Sequence, residues 1–167
     1  MSHDASHAGR VVEVRSVVRA PRDEVWARVV SVDGIRDELA PWLTMTMPRG
    51  MDGLDVATLP VGQPLGRAWL RLFGVLPVDF DDLTIVALEP GRRFHEVSRM
   101  MSARRWEHER TLRDAGPGTT EVHDRLVVVP RLAPHVVGPV AERVVRLLFE
   151  HRHRRLARHL DSGPFTQ

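Results

Sequence analysis

From residue 67 onward the sequence predicts five strands in succession, and a long amphipathic helix follows the last of them. The strands cover residues 67–73, 78–88, 94–100, 104–113 and 120–130, and the helix covers residues 136–160. Tight turns, such as Pro90-Gly91 and the run from Ala115 to Gly118, join neighbouring strands, so we expect antiparallel pairing. Twist accumulates across such a sheet and curls it, and the apolar stripe of the helix can then cover one face. A run of strands followed by a helix predicts an α+β fold.

The first part of the chain predicts a further strand, two short helices and a short strand. The predicted elements are a strand over 10–20, a helix that starts at Pro21 and breaks at Asp33-Gly34, a second helix over 35–40 and a strand over 42–47. The Gly- and Pro-rich segment 48–66 that follows is long for a connection inside a compact domain. Such a segment is either functional or mobile, and one interpretation is a lid over the mouth of a cavity.

The composition excludes several kinds of chemistry. All 24 basic residues are arginine, and the chain contains no lysine, tyrosine or cysteine, a usage typical of a GC-rich bacterium. Disulfides, thiolate nucleophiles, Schiff-base lysines and P-loop lysines are therefore excluded. The net charge is only +2, and no helix-turn-helix, RNP or zinc-finger pattern is present, so we expect no nucleic-acid partner.

The sequence also gives expectations about location and domain organisation. No apolar run approaches the ~20 residues that span a bilayer. The first ten residues are polar and lack the apolar core of a signal peptide. We therefore expect a cytoplasmic protein with no transmembrane segment, either a monomer or a homodimer. A single domain over 10–161 is predicted between a disordered tail, 1–9, and a C-terminal tail, 162–167.

Four stretches in this order resemble the START/polyketide-cyclase superfamily, also called SRPBCC, which includes ligand carriers of the birch-pollen-allergen type. The stretches are Ala20-Pro21-Arg22-Asp23-Glu24-Val25-Trp26, Glu89-Pro90-Gly91-Arg92-Arg93-Phe94, Trp106-Glu107-His108-Glu109-Arg110-Thr111 with Gly118-Thr119-Thr120 and Asp124, and Phe149-Glu150-His151-Arg152-His153. The resemblance implies a helix-grip fold, in which a curved antiparallel sheet wraps around a long C-terminal helix and encloses a cavity. It implies a ligand such as a lipid, sterol, polyketide or hormone. Some members of the superfamily are cyclases or dehydratases, so the site must decide the function.

The last predicted hairpin carries the most informative polar residues. Period two places Trp106, His108, Arg110 and Leu112 on one face of their strand. On the next strand Val122, Asp124, Leu126 and Val128 share a face, and the apolar members of both sets indicate that these faces point inward. Any even register then places Asp124 opposite Arg110 or His108. Such a group is either a structural ion pair, a polar anchor for a ligand or an acid/base pair.

Glu96 and Ser98 share the alternation of Phe94 and Met100 and are also predicted to face inward. A short turn near Met101 would bring Glu96 close to His108. A carboxylate beside an imidazole would form a general base. The alternative is that both residues have a structural or surface role.

The predicted site combines these inward positions with the wall of the cavity. The ligand-binding candidates are Trp69, Phe94, Ser98, Trp106, His108, Arg110, Asp124, Leu126, Leu148 and Arg152, and the catalytic candidates, if the protein is an enzyme, are His108, Asp124 and Glu96. His151 and His153 point in different directions on a helix, so we predict no metal site. We predict no cofactor either.

Three functions remain open. The favoured one is binding of a small, largely apolar molecule, such as a lipid, a polyketide or an isoprenoid-like compound, in a cavity between the sheet and the C-terminal helix. The first alternative is a polyketide cyclase/aromatase or dehydratase that uses His108 with Asp124 or Glu96. The second is a lipid or quinone chaperone, because the arginine-rich C-terminal helix could contact an anionic membrane.

Overall fold

The structure is a computed structural model, and it describes residues 9–48 and 56–162. Its elements are β1 (Arg10–Val18), α1 (Arg22–Val30), α2 (Val32–Leu39), β2 (Leu43–Met45), a 3₁₀ turn (Val56–Thr58), β3 (Pro64–Leu72), β4 (Leu76–Glu89), β5 (Arg93–Met100), β6 (Ala103–Gly116), β7 (Thr119–Pro130) and α3 (Pro134–Asp161). Of the described helices, none is both long and apolar enough to cross a bilayer.

The seven strands form one antiparallel sheet in the order β1-β7-β6-β5-β4-β3-β2. Each of the strands β3 to β7 pairs with its neighbour in the chain, as tight turns require, whereas β1 pairs with β7. The sheet curls around α3, which follows the last strand. The predicted α+β helix-grip fold is confirmed.

The core lies between the concave face of the sheet and α3. Strand β1 contributes Val12 and Val18, and β6 and β7 contribute Leu112 and Leu126, all of which are buried. The predicted stripe of α3 faces them, with side chains that are buried or half-buried: Ala141, Val145, Leu148, Phe149, Arg152 and Leu156. Apolar area removed from water in this way stabilises the fold by roughly 25 cal/mol per Å².

The break between the first two helices is not where the sequence predicted it. Asp33 and Gly34 lie inside α2, and the chain turns at Ser31, which caps α2 by accepting a hydrogen bond from the Gly34 N–H at 3.0 Å. The Ser31 hydroxyl also donates to the Arg28 carbonyl at 2.9 Å. A Cβ on Gly34 would lie 1.8 Å from the Arg28 carbonyl oxygen. Gly34 is therefore required for the close approach of two helices, not as a helix breaker.

The predicted loop 48–66 is shorter than expected. The 3₁₀ turn at Val56–Thr58 and the start of β3 at Pro64 occupy its second half. Residues 49–55 lie outside the described residues, so the lid remains a prediction.

Replacing Gly34 by alanine should lower the free energy of unfolding by about 1–3 kcal/mol, because the new methyl group must push α2 away from Arg28. Gly138 in α3 is the matched control, since a Cβ there would meet only the flexible end of the Arg10 side chain, at 3.1 Å. G138A should leave stability unchanged or raise it by up to about 1 kcal/mol through helix propensity. Chemical denaturation measures both, and equal effects of the two substitutions would contradict the explanation.

Candidate functional site

A cavity of about 420 Å³ lies between the sheet and α3. Its walls are mainly apolar and come from β2 to β7 and from all three helices, with large side chains such as Met45, Met47, Leu70, Ile85, Phe94, Trp106, Leu148 and Phe149. A smaller number of polar side chains reach the same space: Asp79, Asp81, Glu96, Ser102, His108 and Arg152. Size and lining are typical of small-molecule sites.

Behind this wall lies a network of buried ionisable residues, which we call the buried charge network: Glu38, His108, Arg110, Asp124, Arg152 and His153. Arg110 is at its centre and has 0% exposure. Its Nε and Nη2 each donate to one oxygen of Asp124 at 2.7 Å, and its Nη1 donates to both oxygens of Glu38, at 2.9 and 3.0 Å. Arg110 therefore joins β6 to β7 and to α2 through charge-assisted hydrogen bonds. The predicted pairing of Asp124 with Arg110 is confirmed.

Asp124 accepts four hydrogen bonds, which is the capacity of an ionised carboxylate. Besides Arg110, the donors are His108 Nε2 at 3.0 Å and His153 Nε2 at 2.8 Å. Burial alone would raise the pKa of the Asp124 carboxyl, but the charge and hydrogen bonds of Arg110 hold that pKa well below its usual range. Asp124 is therefore ionised and has no lone pair left for a ligand.

His108 connects the network to the cavity. Burial lowers the pKa of its imidazole to about 4, against the opposing effect of Asp124. The ring is therefore neutral at pH 7, and Nε2 carries the proton because its partner is an ionised carboxylate. Nδ1 is then a free acceptor, because the hydrogen bond of this ring to the described residues is the one that Nε2 makes. Phe94 and Phe149 hold the ring by edge-to-face contacts, with centroids 5.2 and 4.9 Å away.

Arg152 is the second polar group that the network presents to the cavity. Its Nε donates to Glu38 at 3.0 Å, and its guanidinium carbon lies 4.7 Å from the centroid of the Phe149 ring. Within the described part of the chain, its two terminal nitrogens have no hydrogen-bond partner. The side chain is nevertheless buried and lines the cavity. Arg152 can therefore donate two further hydrogen bonds to an acceptor in the cavity.

Glu96 has different partners from those predicted. It is the Cα partner of His108 across β5 and β6, but no hydrogen bond joins the two side chains. Glu96 accepts instead from the Ser98 hydroxyl at 3.1 Å and is hydrogen-bonded to Asp81 on β4. Burial and the charge of Asp81 raise the pKa of Glu96 well above its ordinary value. Glu96 therefore lies beside His108 as predicted, and the use of the two side chains as a general base stays a prediction.

Of the predicted ligand-binding residues, Phe94, Trp106, His108, Leu148 and Arg152 line the cavity, as does Glu96. Arg110, Asp124, Leu126 and Ser98 are buried behind its wall.

The prediction that Trp69 lines the cavity is wrong. It is 41% exposed and packs on Phe80, with ring centroids 5.8 Å apart, on the outer face of the sheet. Its neighbours in β3 point the other way, since Ala68 is buried and Leu70 lines the cavity.

Two members of the network were not predicted, although the sequence carries a signal for each. Glu38 lies three residues after Ile35 and one before Leu39, so it shares the inner face of α2. His153 lies four residues after Phe149 in α3, and its Nδ1 is 2.7 Å from the Ser16 hydroxyl. The two histidines of the H-x-H pair do face different partners, because His151 Nε2 donates to the Ala40 carbonyl at 2.7 Å.

Comparisons with known proteins agree with this architecture. A family model described as "Domain of unknown function (DUF8410)" matches residues 16–160. No curated protein is significantly similar in sequence. Many solved structures share the fold, including a START superfamily protein from Mycobacterium smegmatis, with a TM-score of 0.68 and 14% identity over 93% of this chain and 100% of that chain.

A second similar structure is the Zhui aromatase/cyclase from Streptomyces sp. R1128, with a TM-score of 0.68 and 18% identity over 91% of this chain and 93% of that chain. A third is a protein from Chromobacterium violaceum, with a TM-score of 0.70 and 15% identity over 92% of this chain and 99% of that chain. At these identities the likeness concerns the fold.

Replacing Asp124 by alanine should lower the free energy of unfolding by about 3–5 kcal/mol, because Arg110 would keep a buried charge with one partner fewer. D114A is the control, since Asp114 pairs with Arg22 at 2.9 Å on the surface and should cost less than about 1 kcal/mol. Urea denaturation of the two variants gives the comparison. Equal losses would mean that the network is not a buried unit.

The lowered pKa of His108 predicts a pH dependence of stability. Between its ordinary pKa of about 6.5 and the folded value of about 4, the unfolded chain binds a proton that the folded chain does not. The free energy of unfolding should therefore be highest above pH 6.5 and fall towards pH 4, by on the order of 3 kcal/mol from this group. H108Q should flatten this part of the profile, whereas H159Q, at an exposed position of α3, should not. Identical profiles for H108Q and the unchanged protein would rule out His108 as the source.

Proposed function

The chain belongs to the DUF8410 family and has a START-like helix-grip fold, and we propose that it binds a small, largely apolar molecule in the cavity between the sheet and α3. The observation that carries this proposal is the guanidinium of Arg152. It is buried at the cavity wall, and its two terminal nitrogens have no partner among the described residues. Both nitrogens are therefore available to a ligand that brings its own acceptor into the cavity.

The rest of the wall supports an apolar ligand body. Trp106 and Phe149 lie together, with ring centroids 6.2 Å apart, and Met45 and Met47 offer flexible side chains. Aromatic and thioether groups contact flat or irregular ligands over a large area. A carbonyl or carboxylate on such a ligand would accept from Arg152, while His108 Nδ1 could accept from a neighbouring hydroxyl.

A second candidate function is acid–base chemistry on the bound molecule, of the polyketide cyclase/aromatase or dehydratase type. His108 favours it, because a neutral imidazole that is held by Asp124 and has a free Nδ1 can take a proton from a ligand. Similarity in fold to the Streptomyces aromatase/cyclase agrees with this role. Chemical conversion of a polyketide by the native protein, but not by H108Q, would favour catalysis over binding alone.

Binding of 2-naphthoic acid, followed by calorimetry, tests the proposed anchor. R152M should weaken binding by about 10- to 100-fold, because the ligand carboxylate loses a charged donor inside an apolar site. R154M, two residues along on the exposed side of α3, should bind as the unchanged protein does. Equal binding by R152M would contradict the anchor. Absence of any small molecule from the protein purified from its own host, and of any binding here, would contradict the cavity function.

A further inference from the structure

The cavity wall also contains a pair of carboxyl groups outside the buried charge network. Asp81 lies on the inward face of β4 and Glu96 on that of β5, and their side chains are hydrogen-bonded to one another. A hydrogen bond between two carboxyl groups requires a proton on one of them. The raised pKa of Glu96, caused by burial and by the charge of Asp81, places that proton on Glu96.

Asp81 is only 5% exposed, and its Oδ1 has no hydrogen-bond partner in the described part of the chain. Burial raises the pKa of Asp81, the hydrogen bonds of Asp81 with Ser98 and Glu96 oppose that rise, and the charges of Asp79 and Asp82 add to it. A buried acceptor atom without a donor destabilises a folded protein, and such atoms are rare in native structures. The lone Oδ1 of Asp81 is therefore a candidate for a functional role.

Asp79, on the same face of β4 as Asp81, is a carboxylate with a structural role and serves as the comparison. Its Oδ1 accepts from the N–H groups of Met101, at 2.8 Å, and Ser102, at 3.4 Å, while its Oδ2 accepts from the Ser102 hydroxyl. These bonds hold the turn between β5 and β6. In the described part of the chain Asp81 accepts no hydrogen bond from a turn, so the two carboxylates have different roles.

We propose that Asp81 and Glu96 form a second recognition site in the cavity, which accepts a hydrogen bond from a hydroxyl or protonated amine of the ligand. This inference rests on the proposed binding function and specifies the class of ligand. Arg152 can donate hydrogen bonds to an acceptor on the ligand, and Asp81 Oδ1 can accept one from a donor on the ligand. The ligand is therefore an apolar molecule with a carbonyl or carboxylate at one place and a hydroxyl or amine at another.

Three probes of similar shape test the donor requirement: 2-naphthylmethanol, 2-naphthylmethylamine and 2-ethylnaphthalene. At least one of the two donor probes should bind the full-length protein about ten-fold more tightly than 2-ethylnaphthalene. The better of the two identifies the donor as a hydroxyl or as an ammonium group. In D81L that preference should fall to about one-fold, while 2-ethylnaphthalene still binds.

Thermal unfolding of the unliganded variants separates recognition from a structural role. D81L should leave the melting temperature unchanged or raise it, because it replaces a buried carboxylate, one oxygen of which has no partner, by an apolar group of similar size. D79L, the matched control on the same strand, should lower it. A fall in D81L as large as that in D79L would overturn the inference.

The binding outcomes keep the two proposals apart. Equal binding of all three probes would contradict donor recognition and leave the cavity function standing. Failure of all three to bind would contradict both.

Discussion

The position of Arg110 determines how the parts of this molecule fit together. Its guanidinium is completely removed from water, so all of its charge must be compensated by protein groups, and it has Asp124 and Glu38 for that purpose. Burial opposes the charged form of Arg110, but the two carboxylates raise its pKa above the ordinary value. A pair of this kind adds little net stability compared with apolar residues, but it tolerates few other geometries. The ion pairs therefore define where α2 sits on the sheet.

The buried charge network leaves most of its charged atoms behind the cavity wall, away from the surface that a ligand would contact. Two carboxylates and two guanidiniums balance one another in the network, and most of these atoms lie behind the wall. Among the described residues of the network, the ones that line the cavity are His108, whose ring is neutral, and Arg152, whose terminal nitrogens have no partner. Both groups are held rigidly from behind, which keeps polar groups in place at low entropic cost to a ligand. Asp81 and Glu96 complete the polar lining, and in contrast to Arg152, which donates hydrogen bonds, their site accepts them.

The sequence predicted those parts of the site that depend on period two and on a short turn. Asp124 and Arg110 lie in one hairpin, so any even register brings them together, and the structure has them as direct Cα partners. Glu38 and His153 reach the same cluster from two helices, and the docking of a helix on a sheet has no such local rule. Trp69 was assigned to the wrong face because apolar residues occupy both faces of β3, and only the curl of the sheet decides which is inside. In the first half of β4 the alternation is reversed, since Asp79 and Asp81 point inward while Phe80 points outward, and a rule that places apolar residues inside fails there.

The pairing of the first strand with the last has a consequence for how the chain acquires its shape. Arg10 is the partner of Val128, so β1 has no strand to pair with until nearly the whole chain is available. Contacts between residues so far apart in sequence slow folding, because the chain loses the entropy of loop closure before these contacts can stabilise it. The hairpins from β3 to β7 join neighbouring strands and have no such delay. They can therefore form before β1 and α3 pack on them. We therefore expect the closure of β1 on β7 and the docking of α3 to come late and together, so that the interior space is created in the final step of folding.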